Sequence, residues 1–512
     1  MSPWRAKKRI DCSVYLVTDS TPAVLGTRDL LSVVEEALRG GVTAVQLRDK
    51  KGQHEQMVAT ARALHALTSK FDVPLLINDN VDVAVEVDCE GLHIGQDDMK
   101  LALARKMLGA GKIIGVSAST AAEAIAACRD GADYLGLGTV YATPTKKDTK
   151  SIIGPRGVHD ILAALAAAGF GSTPTVCIGG ISTANAAAVL QQAQSPSKGL
   201  SGVAVVSAIM SAPDATAAAS SLVSTVLKSL MPRVVKQISE TKPLSHNMTN
   251  LVVQNFAANV ALAVGASPIM SNLADEAPDL VGLDGALVVN MGTITPDGLQ
   301  NLVRAVETYN RAGRPIVLDP VGVGATAVRR EAVKQLLTQG HFEVIKGNAS
   351  ELLAVAGAIM VQRGVDSTAT MSVAHRAKLA RDLARKQSCV VVLSGATDIV
   401  SDGRRTLRID NGHELLGCIT GSGCTLGTAL SAALAVSPHD HLTAAVAATV
   451  MFGIAAEKAA QDGKVGGPGT FVPVFIDQLY RIRKATEEHD FGWVASAKVD
   501  VVDVDDCNCP DV

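Results

Sequence analysis

Short apolar segments alternate with helical segments through the first half of the chain. Leu30–Arg39 and Gln53–Ser69 are two of the intervening stretches with helical periodicity. Repeated β/α units within roughly 200 residues predict a (β/α)8 barrel, with an open eight-stranded sheet as the alternative. The runs predicted as strands are Val14–Thr18, Thr43–Leu47, Pro74–Ile77, Gly91–Ile94, Ile113–Val116, Asp133–Leu137, Thr175–Ile178 and Gly202–Val206.

After the predicted barrel, the order of the predicted helices and strands changes. We expect the last barrel helix to end near Pro232, which closes a first domain over residues 1–232, and residues 233–243 to form a linker. Beyond it, residues 244–512 predict a three-layer α/β domain with a mostly parallel sheet. The segments behind this prediction are an apolar helix (Asn250–Val264), buried strands (Ala286–Asn290, Pro315–Asp319, Glu343–Lys346, Val390–Ser394) and a hairpin (Asp398–Ile409).

Composition narrows the classes of function. With 512 residues, 47% hydrophobic and 19% charged, the chain is expected to fold into several globular domains. A net charge of −3 and an aromatic content of 3% argue against nucleic acid or an anionic membrane as the partner. The longest apolar run, Thr443–Ala456, is shorter than the roughly 20 residues of a spanning helix, and the basic N-terminus lacks the apolar stretch of a secretory signal. Nine cysteines without C-x-x-C spacing indicate reduced thiols, so we expect a cytoplasmic protein.

Polar residues follow the predicted barrel strands, where the active sites of such barrels lie. Asp79 and Asp98 follow neighbouring strands and are candidates for Mg²⁺, which prefers one or two carboxylates together with substrate phosphates. Taken singly, each aspartate could instead cap a helix, and each nearby lysine could face solvent. The cations available to neutralise a polyphosphate are Arg48, Lys50 and Lys146. The backbone N–H groups available for a phosphate after the last two strands are those of Gly179-Gly180 and Val206-Ser207.

Seven motifs between about residues 13 and 210 resemble the thiamine-phosphate synthase family. They are YLVTD, VQLRDK, LLINDNVDVA, GLHIGQDD, GVSAST, GADYLGLGTVYATPTKKD and CIGGIS. The family joins 4-amino-5-hydroxymethyl-2-methylpyrimidine diphosphate to a thiazole phosphate, giving thiamine phosphate and pyrophosphate. The resemblance implies Mg²⁺ on Asp79 and Asp98. It implies pyrimidine diphosphate contacts at Gln46, Arg48, Lys50, Asn78, Ser117 and Lys146, and thiazole phosphate contacts at Thr143, Thr145, Gly179 or Gly180, Val206 and Ser207.

The second half contains no P-loop motif. Gly322-x-Gly324-x-x-Ala327 superficially matches a dinucleotide fingerprint, but Asp319-Pro320 separates the strand from these glycines. A stronger signal is Gly417-Cys-Ile-Thr-Gly421-Ser-Gly423-Cys424 at the start of an apolar helix, where backbone N–H groups and the helix dipole favour an anion. Cys424 is expected in the first turn, where a thiol pKa tends to fall, unless it is a buried structural cysteine. Asp319 and Glu351 are further candidates for a metal–phosphate site, or else a turn aspartate and a helix-start glutamate.

Six motifs of this half resemble the hydroxyethylthiazole kinase family of the ribokinase-like superfamily. They are HNMTNLVVQNFAANVALAVGASPIMSN, ALVVNMGT, PIVLDPVGVGATAVR, VIKGNASEL, VVVLSGATDIVSDG and GCITGSGC. The resemblance implies Mg²⁺ at Asp319 and Glu351, and a general base at Cys424, where many superfamily members have Asp. It implies thiazole-alcohol contacts at Met270 and Gly421, a pocket shaped by Asn247 and Asn250, and ATP contacts at Lys346 and Ser394, where the family more often has Arg and Thr.

Together the two resemblances imply a bifunctional enzyme of thiamine biosynthesis. ATP is then a co-substrate, Mg²⁺ a cofactor, and the other partners are the pyrimidine diphosphate, the thiazole alcohol and its phosphate. The resemblance also implies a homo-oligomer built on kinase trimers. Two alternatives remain: an aldolase- or epimerase-like barrel fused to a sugar kinase, and a sensor that binds thiamine precursors without turnover.

Overall fold

The computed structural model describes residues 10–50, 52–143, 151–357 and 371–504. The chain divides after Ser229 into two compact units, which are described separately.

The first unit contains a closed barrel of eight parallel strands, so the barrel prediction is confirmed and the open sheet is excluded. Each strand is hydrogen-bonded to the next along the chain, and β1 pairs with β8. Apolar side chains such as Val17, Leu76 and Val176 fill the interior. The strands are β1 (Val14–Val17), β2 (Ala44–Leu47), β3 (Leu75–Asn78), β4 (Gly91–Ile94), β5 (Ile113–Ala118), β6 (Tyr134–Leu137), β7 (Thr175–Ile178) and β8 (Gly202–Val205).

Helices follow the barrel strands and begin at capping residues. The Asp29 side chain accepts a hydrogen bond from the Ser32 backbone at the start of one helix, and Thr120 and Glu123 form a capping box at another. The helices are α1 (Pro22–Leu25), α2 (Leu30–Arg39), α3 (His54–Lys70), α4 (Val81–Val87), α5 (Leu101–Leu108), α6 (Ala121–Arg129), α7 (Gly154–Ala167), α8 (Ala186–Gln192), α9 (Ser207–Met210) and α10 (Ala215–Thr241).

Helix α10 differs from the expectation of a helix end near Pro232 followed by a linker. It continues through Pro232 to Thr241. An interior proline removes a backbone hydrogen bond and costs about 3 kcal/mol. The residues that follow, Val234, Val235 and Ile238, are buried. Their burial contributes roughly 1.5–3 kcal/mol each and outweighs that cost.

The second unit is built on a nine-stranded sheet in the order β10-β9-β11-β12-β13-β14-β15-β16-β17. Strands from β9 to β14 run parallel, and the last three are antiparallel. The predicted strands and hairpin are present, whereas the two short strands at the first edge were not predicted. The strands are β9 (Leu244–Met248), β10 (Ser267–Ile269), β11 (Ala286–Asn290), β12 (Ile316–Asp319), β13 (Val344–Asn348), β14 (Val390–Ser394), β15 (Asp398–Ser401), β16 (Thr406–Ile409) and β17 (Val499–Val501).

Helices cover both faces of this sheet, which confirms the three-layer prediction. On β11, Leu287 and Val289 belong to one core cluster, whereas Val288 faces Gly427 on the opposite side. Helices α13 to α16 pack in succession on the first face, and α11, α17, α18 and α19 pack together on the second. The helices are α11 (Gln254–Val264), α12 (Ala277–Leu280), α13 (Pro296–Arg311), α14 (Ala327–Gln339), α15 (Ala349–Ala356), α16 (Val373–Gln387), α17 (Ser422–Ala435), α18 (His441–Ala460) and α19 (Pro468–Glu487).

Helix α18 is long and apolar enough to cross a bilayer by length and composition. Its most apolar window is 89% buried within the protein. It packs against α17 and α19, as the core helix of a folded domain does.

Candidate active sites

The carboxyl ends of the barrel strands surround a cavity of about 170 Å³. Because the strands are parallel, residues distant in sequence meet at this rim. The predicted substrate residues that line it are Gln46, Arg48, Asn78, Ser117, Thr143, Gly179, Gly180, Val206 and Ser207. Thr145 and Lys146 lie outside the described residues.

Hydrogen bonds and an ion pair orient the polar lining of this cavity. The Gln46 amide donates to Asn78 Oδ1 at 3.0 Å, which links the ends of β2 and β3. The Arg48 guanidinium lies 4.0 Å from Asp19 Oδ2, and the Arg48 backbone N–H donates to Thr18 Oγ1 at 3.1 Å. Asp19 was not among the predicted residues, although it ends the YLVTD motif. It holds the guanidinium beside the cavity.

Two carboxylates lie against each other at the same rim. Burial, together with a hydrogen bond and charge repulsion from Asp98, raises the pKa of Asp79 to about 6. Lys50 Nζ lies 3.9 Å from Asp79 Oδ2, and Asp98 Oδ2 accepts a hydrogen bond from the Gly95 backbone. The repulsion that Asp79 feels from the neighbouring carboxylate fits a site for a hard divalent cation, since such a cation removes the repulsion.

Gly179 and Gly180 directly follow β7, in a backbone conformation that side chains would not tolerate. Both have left-handed φ values, +106° and +65°. A Cβ on Gly179 would lie 2.2 Å from Thr139 Cγ2, and one on Gly180 would lie 2.8 Å from Tyr141 Cβ. The two glycines therefore keep backbone exposed to the cavity, as a phosphate site requires.

The cavity also contains residues that the sequence analysis missed. Tyr15 and His93 line it, and both connect to buried Tyr134. A histidine and two tyrosines inside apolar barrel strands are polar residues at interior positions. Polar residues within apolar strand segments could have been noticed in the sequence. Only the closed barrel, however, brings these three side chains together.

In the second unit, side chains at the carboxyl ends of the strands form one hydrogen-bonded network. Lys346 Nζ lies 3.1 Å from Asp319 Oδ1 and donates to the Gly423 carbonyl at 2.9 Å. Asn290 Nδ2 donates to Asp319 Oδ2 at 2.7 Å. Asn250 Nδ2 donates to Asn290 Oδ1 at 2.9 Å and lies 3.5 Å from Cys424 Sγ. Asn290, which ends the apolar run of β11, was not predicted as a site residue.

Cys424 lies in the first turn of α17, but the expected lowering of its thiol pKa is wrong. Burial and the negative charge of Asp319 raise this pKa to about 11, and the opposing effect of Lys346 is smaller. The helix terminus favours a thiolate, yet desolvation and a neighbouring carboxylate disfavour it more strongly. The resting residue is therefore a thiol.

Asp319 and Glu351, the predicted Mg²⁺ residues of this unit, are both held by hydrogen bonds within the protein, and Mg²⁺ at these residues stays a prediction. Both Asp319 oxygens accept hydrogen bonds, one from Lys346 and one from Asn290. The Glu351 oxygens accept from the backbone N–H groups of Gly322 and Asn348, both at 2.9 Å. Lys346 supplies positive charge beside Asp319. Glu351 links the turn after β12 to the start of α15.

The other predicted kinase residues occupy different environments. Gly421 caps α17 with φ +85°, and a Cβ there would lie 2.3 Å from Val253 Cγ1. Met270 is half-buried directly after β10, and Ser394 ends β14 opposite Asn348. Asn247 is fully buried and bonds only inward, to Ser245 and Thr428, among the contacts that the structure describes.

His246 is a further residue that the sequence analysis missed. Its ring nitrogens lie 3.1 Å from Tyr309 Oη and 3.0 Å from the Ser271 carbonyl. Ser271 directly follows Met270, so His246 fixes the backbone that presents Met270.

Comparison with known proteins assigns a family to each unit. Residues 14–209 match the thiamine monophosphate synthase family, and residues 235–485 match the hydroxyethylthiazole kinase family. A hydroxyethylthiazole kinase of Methanocella arvoryzae is 41% identical over 257 residues, which cover 50% of this chain and 95% of that protein.

Two relatives match nearly the whole chain. The probable thiamine biosynthetic bifunctional enzyme of Schizosaccharomyces pombe is 39% identical over 518 residues, covering 96% of this chain and 99% of that protein. The thiamine biosynthetic bifunctional enzyme of Saccharomyces cerevisiae is 36% identical over 539 residues, covering 96% of this chain and 99% of that protein. The chain therefore belongs to the family of bifunctional thiamine biosynthetic enzymes, with a thiamine monophosphate synthase domain followed by a hydroxyethylthiazole kinase domain.

Proposed function

We propose that the kinase unit transfers the γ-phosphoryl group of ATP to 4-methyl-5-(2-hydroxyethyl)thiazole, and that the barrel couples the product to the pyrimidine diphosphate. In the coupling step the thiazole nitrogen forms a bond to the exocyclic methylene carbon, and the carbon–oxygen bond to diphosphate breaks. Its electron pair leaves with pyrophosphate. The products are thiamine phosphate and pyrophosphate. The observation behind this proposal is the barrel cavity, whose lining combines predicted residues from six strand ends.

Each group at the barrel rim has a part in this chemistry. Arg48 and Lys50 neutralise the diphosphate, together with Lys146 from outside the described residues. Gln46, Asn78 and Ser117 orient the pyrimidine diphosphate, while the backbone of Gly179, Gly180, Val206 and Ser207 holds the thiazole phosphate with Thr143 and Thr145. Asp79 and Asp98 hold Mg²⁺, which when bound supplies further positive charge for the leaving diphosphate. The aminopyrimidine stabilises a developing cation, so the step needs no protein nucleophile.

The kinase unit acts mainly through positioning. The backbone N–H groups at the start of α17 point where a transferred phosphoryl group would gather negative charge, and Lys346 lies beside Gly423 in the same turn. Cys424 accepts the alcohol proton once it has lost its own, with Met270 and Gly421 holding the thiazole and Ser394 contacting ATP. A base with a raised pKa is rarely deprotonated near neutral pH, so we expect slow turnover.

One assay tests both activities. The full chain is supplied with thiazole alcohol, pyrimidine diphosphate, ATP and Mg²⁺, and thiamine phosphate and ADP are measured. A parallel reaction replaces ATP and the alcohol by thiazole phosphate, which isolates the coupling step. Precursor binding without either product would favour the sensor alternative. Coupling without ADP formation from the alcohol would refute the kinase proposal alone.

We further propose a homo-oligomer built on kinase trimers. Leu251 and Val252 are 70% and 72% exposed directly after Asn250, an unusual environment for aliphatic residues beside a candidate site. A second subunit would cover them and complete the pocket. Light scattering on the full chain tests this state, and Leu251→Glu should lower both the mass of the oligomer and the kinase rate.

We also propose a cytoplasmic location. The free thiols of the described cysteines are compatible with the reducing cytoplasm.

A further inference from the structure

A chain of hydrogen bonds runs from the barrel interior to the cavity. Tyr15 Oη lies 2.7 Å from Tyr134 Oη, which in turn lies 2.7 Å from His93 Nδ1. On the other side of the imidazole, His93 Nε2 lies 2.9 Å from Ser117 Oγ. Three strands, β4, β5 and β6, thus meet at one histidine whose far nitrogen contacts a predicted substrate residue.

Two glycines make room for this chain. A Cβ on Gly115 would lie 2.0 Å from Tyr134 Cζ, and a Cβ on Gly136 would lie 3.1 Å from His93 Cε1. In the barrel register Gly115 pairs with Tyr134, and Ser117 pairs with Gly136. The Tyr134 ring therefore lies across a strand position that only glycine leaves open, and the His93 ring packs closely over a second glycine.

The hydrogen bonds of this chain can run in either of two directions, depending on which ring nitrogen of His93 carries the hydrogen. Burial raises the pKa of both Tyr15 and Tyr134 above the ordinary range, so both remain phenols that carry a hydrogen. Tyr15 can donate to Tyr134 Oη, and Tyr134 to His93 Nδ1. In this direction the N–H of the imidazole lies on Nε2 and donates to Ser117 Oγ, which leaves the serine hydrogen free to point into the cavity. In the opposite direction the N–H lies on Nδ1, and Ser117 donates to Nε2.

We propose that His93 is a positioning residue of the coupling reaction, which donates from Nε2 to Ser117 and so aims the Ser117 hydroxyl at the diphosphate. The proposal rests on the proposed function of the barrel. The opposite tautomer would draw the serine hydrogen toward Nε2 and turn oxygen lone pairs toward an anion, which is repulsive. Because negative charge grows on the leaving diphosphate, a hydroxyl donor strengthens its bond in the transition state. The effect should therefore appear in kcat more than in KM.

The tautomer can be measured without any turnover. The full chain is labelled with ¹⁵N-ring histidine, and the His93→Gln variant identifies the His93 signals by difference. We expect Nε2 to carry hydrogen in the absence of substrates. An unprotonated Nε2 with hydrogen on Nδ1 would overturn the proposal, whatever the coupling assay gives.

Kinetics provides the second test, using externally supplied thiazole phosphate. His93→Leu should lower coupling kcat about 10-fold to 100-fold, the range for losing a hydrogen bond to a charged group. His93→Gln, whose amide can donate from nearly the same place, should recover most of the rate. The His93→Leu/Ser117→Ala double variant should be no slower than Ser117→Ala alone, because His93 acts through that hydroxyl.

Controls separate this role from a purely structural one. His65→Gln is the control. His65 lies on α3 and is not among the residues that line the cavity, and its Nε2 lies 3.1 Å from Glu90 Oε1. This variant should leave coupling unchanged. Kinase activity and thermal unfolding of each variant report folding. Equal rates for His93→Leu and the unaltered chain, equal losses for Leu and Gln, or additive losses in the double variant would each refute the proposal. Failure of the unaltered chain to make thiamine phosphate would refute the proposed function instead.

Discussion

The Lys346 ammonium lies 3.1 Å from the Asp319 carboxylate, and both side chains are buried. Burial opposes the positive charge and is the largest single effect, but the combined attraction of Asp319, Cys424 and Glu351 outweighs it and raises the pKa of Lys346 above its ordinary value. The ammonium also bonds the Gly423 carbonyl, so the pair connects two strand ends to the start of α17. The positive charge of Lys346 at the kinase site is therefore held in place by the folded protein itself.

Removing one partner of this pair should be costly. Lys346→Met leaves the Asp319 carboxylate buried without its counter-ion, and the loss of unfolding free energy should be about 3–5 kcal/mol. Urea unfolding of the full chain measures it, alongside the kinase rate, which should fall strongly. Lys334→Met, at an exposed position of α14, is the matched control and should be close to neutral. Equal stability of the two variants would mean that the buried pair is not formed.

The kinase rate should depend on pH through Cys424. Because the thiol pKa is raised to about 11, the thiolate fraction grows roughly tenfold per pH unit below that value. If the thiolate is the base, kcat should rise steadily from pH 7 toward pH 10. Cys424→Ala should lower kcat by about 10²–10⁴-fold, the usual range for a general base.

Two further variants make this test specific. Cys424→Asp, which introduces the base common in the superfamily, should keep or raise activity. Cys418→Ala, at an exposed cysteine nearby, should change nothing. Coupling of supplied thiazole phosphate should be unaffected in all three variants. Near-normal turnover by Cys424→Ala would assign this cysteine a structural role and leave catalysis to positioning and the N–H groups of α17.

The sequence pattern was enough for the barrel strands, for most strands of the second sheet and for many of the residues that follow them. Strand β4 was predicted at the bounds it has, and Gln46 and Ser117 do line one cavity. Properties that depend on several elements at once were not predictable. The Cys424 pKa depends on neighbours from β12 and β13, and the His93 chain requires a closed barrel. Helix α10 continues past Pro232 because of burial that the local sequence does not reveal.

The barrel carboxylates should be required for coupling alone. Asp79→Asn removes one of two adjacent carboxylates, and coupling should fall by at least about 10²-fold, because charge stabilisation of the leaving diphosphate is lost. Phosphorylation of the thiazole alcohol should continue, since its candidate residues lie in the other unit. Asp82→Asn, an exposed position in the first turn of α4, is the control. Loss of both activities in a folded Asp79→Asn protein would contradict the assignment of separate sites.

A buried glutamate should make the kinase unit less stable as pH rises. Burial raises the pKa of Glu343 from 4.5 to about 7, while its Oε2 accepts the Ile316 backbone hydrogen at 2.7 Å. The folded state therefore holds this proton more tightly than the unfolded state. Its stabilising effect is full below pH 4.5 and is lost as pH rises through 7. Glu343→Gln keeps an acceptor for Ile316 but cannot ionise.

Unfolding in urea at pH 5 and pH 8 tests this linkage. Relative to the unaltered chain, Glu343→Gln should gain on the order of 1–3 kcal/mol of stability at pH 8 compared with pH 5. Comparing the two proteins cancels contributions from other groups, such as Asp398, whose pKa burial also raises to about 7. If the difference in unfolding free energy between the two proteins were the same at pH 5 and pH 8, folding would not raise the pKa of Glu343, and the prediction would be wrong.

The end of α10 should be indispensable for a separate kinase unit, in contrast to the expected linker over residues 233–243. A fragment starting at Leu230 retains buried Val234, Val235 and Ile238, as well as the Ser239 hydroxyl that donates to Glu487. A fragment starting at Pro243 loses them all. Three buried side chains at roughly 1.5–3 kcal/mol each are comparable with the whole stability of a domain, about 5–15 kcal/mol. The longer fragment should therefore show a cooperative thermal transition and phosphorylate the thiazole alcohol, whereas the shorter one should aggregate. Equal melting temperatures and rates for the two fragments would restore the linker interpretation, because they would show that residues 230–242 add nothing to the kinase fold.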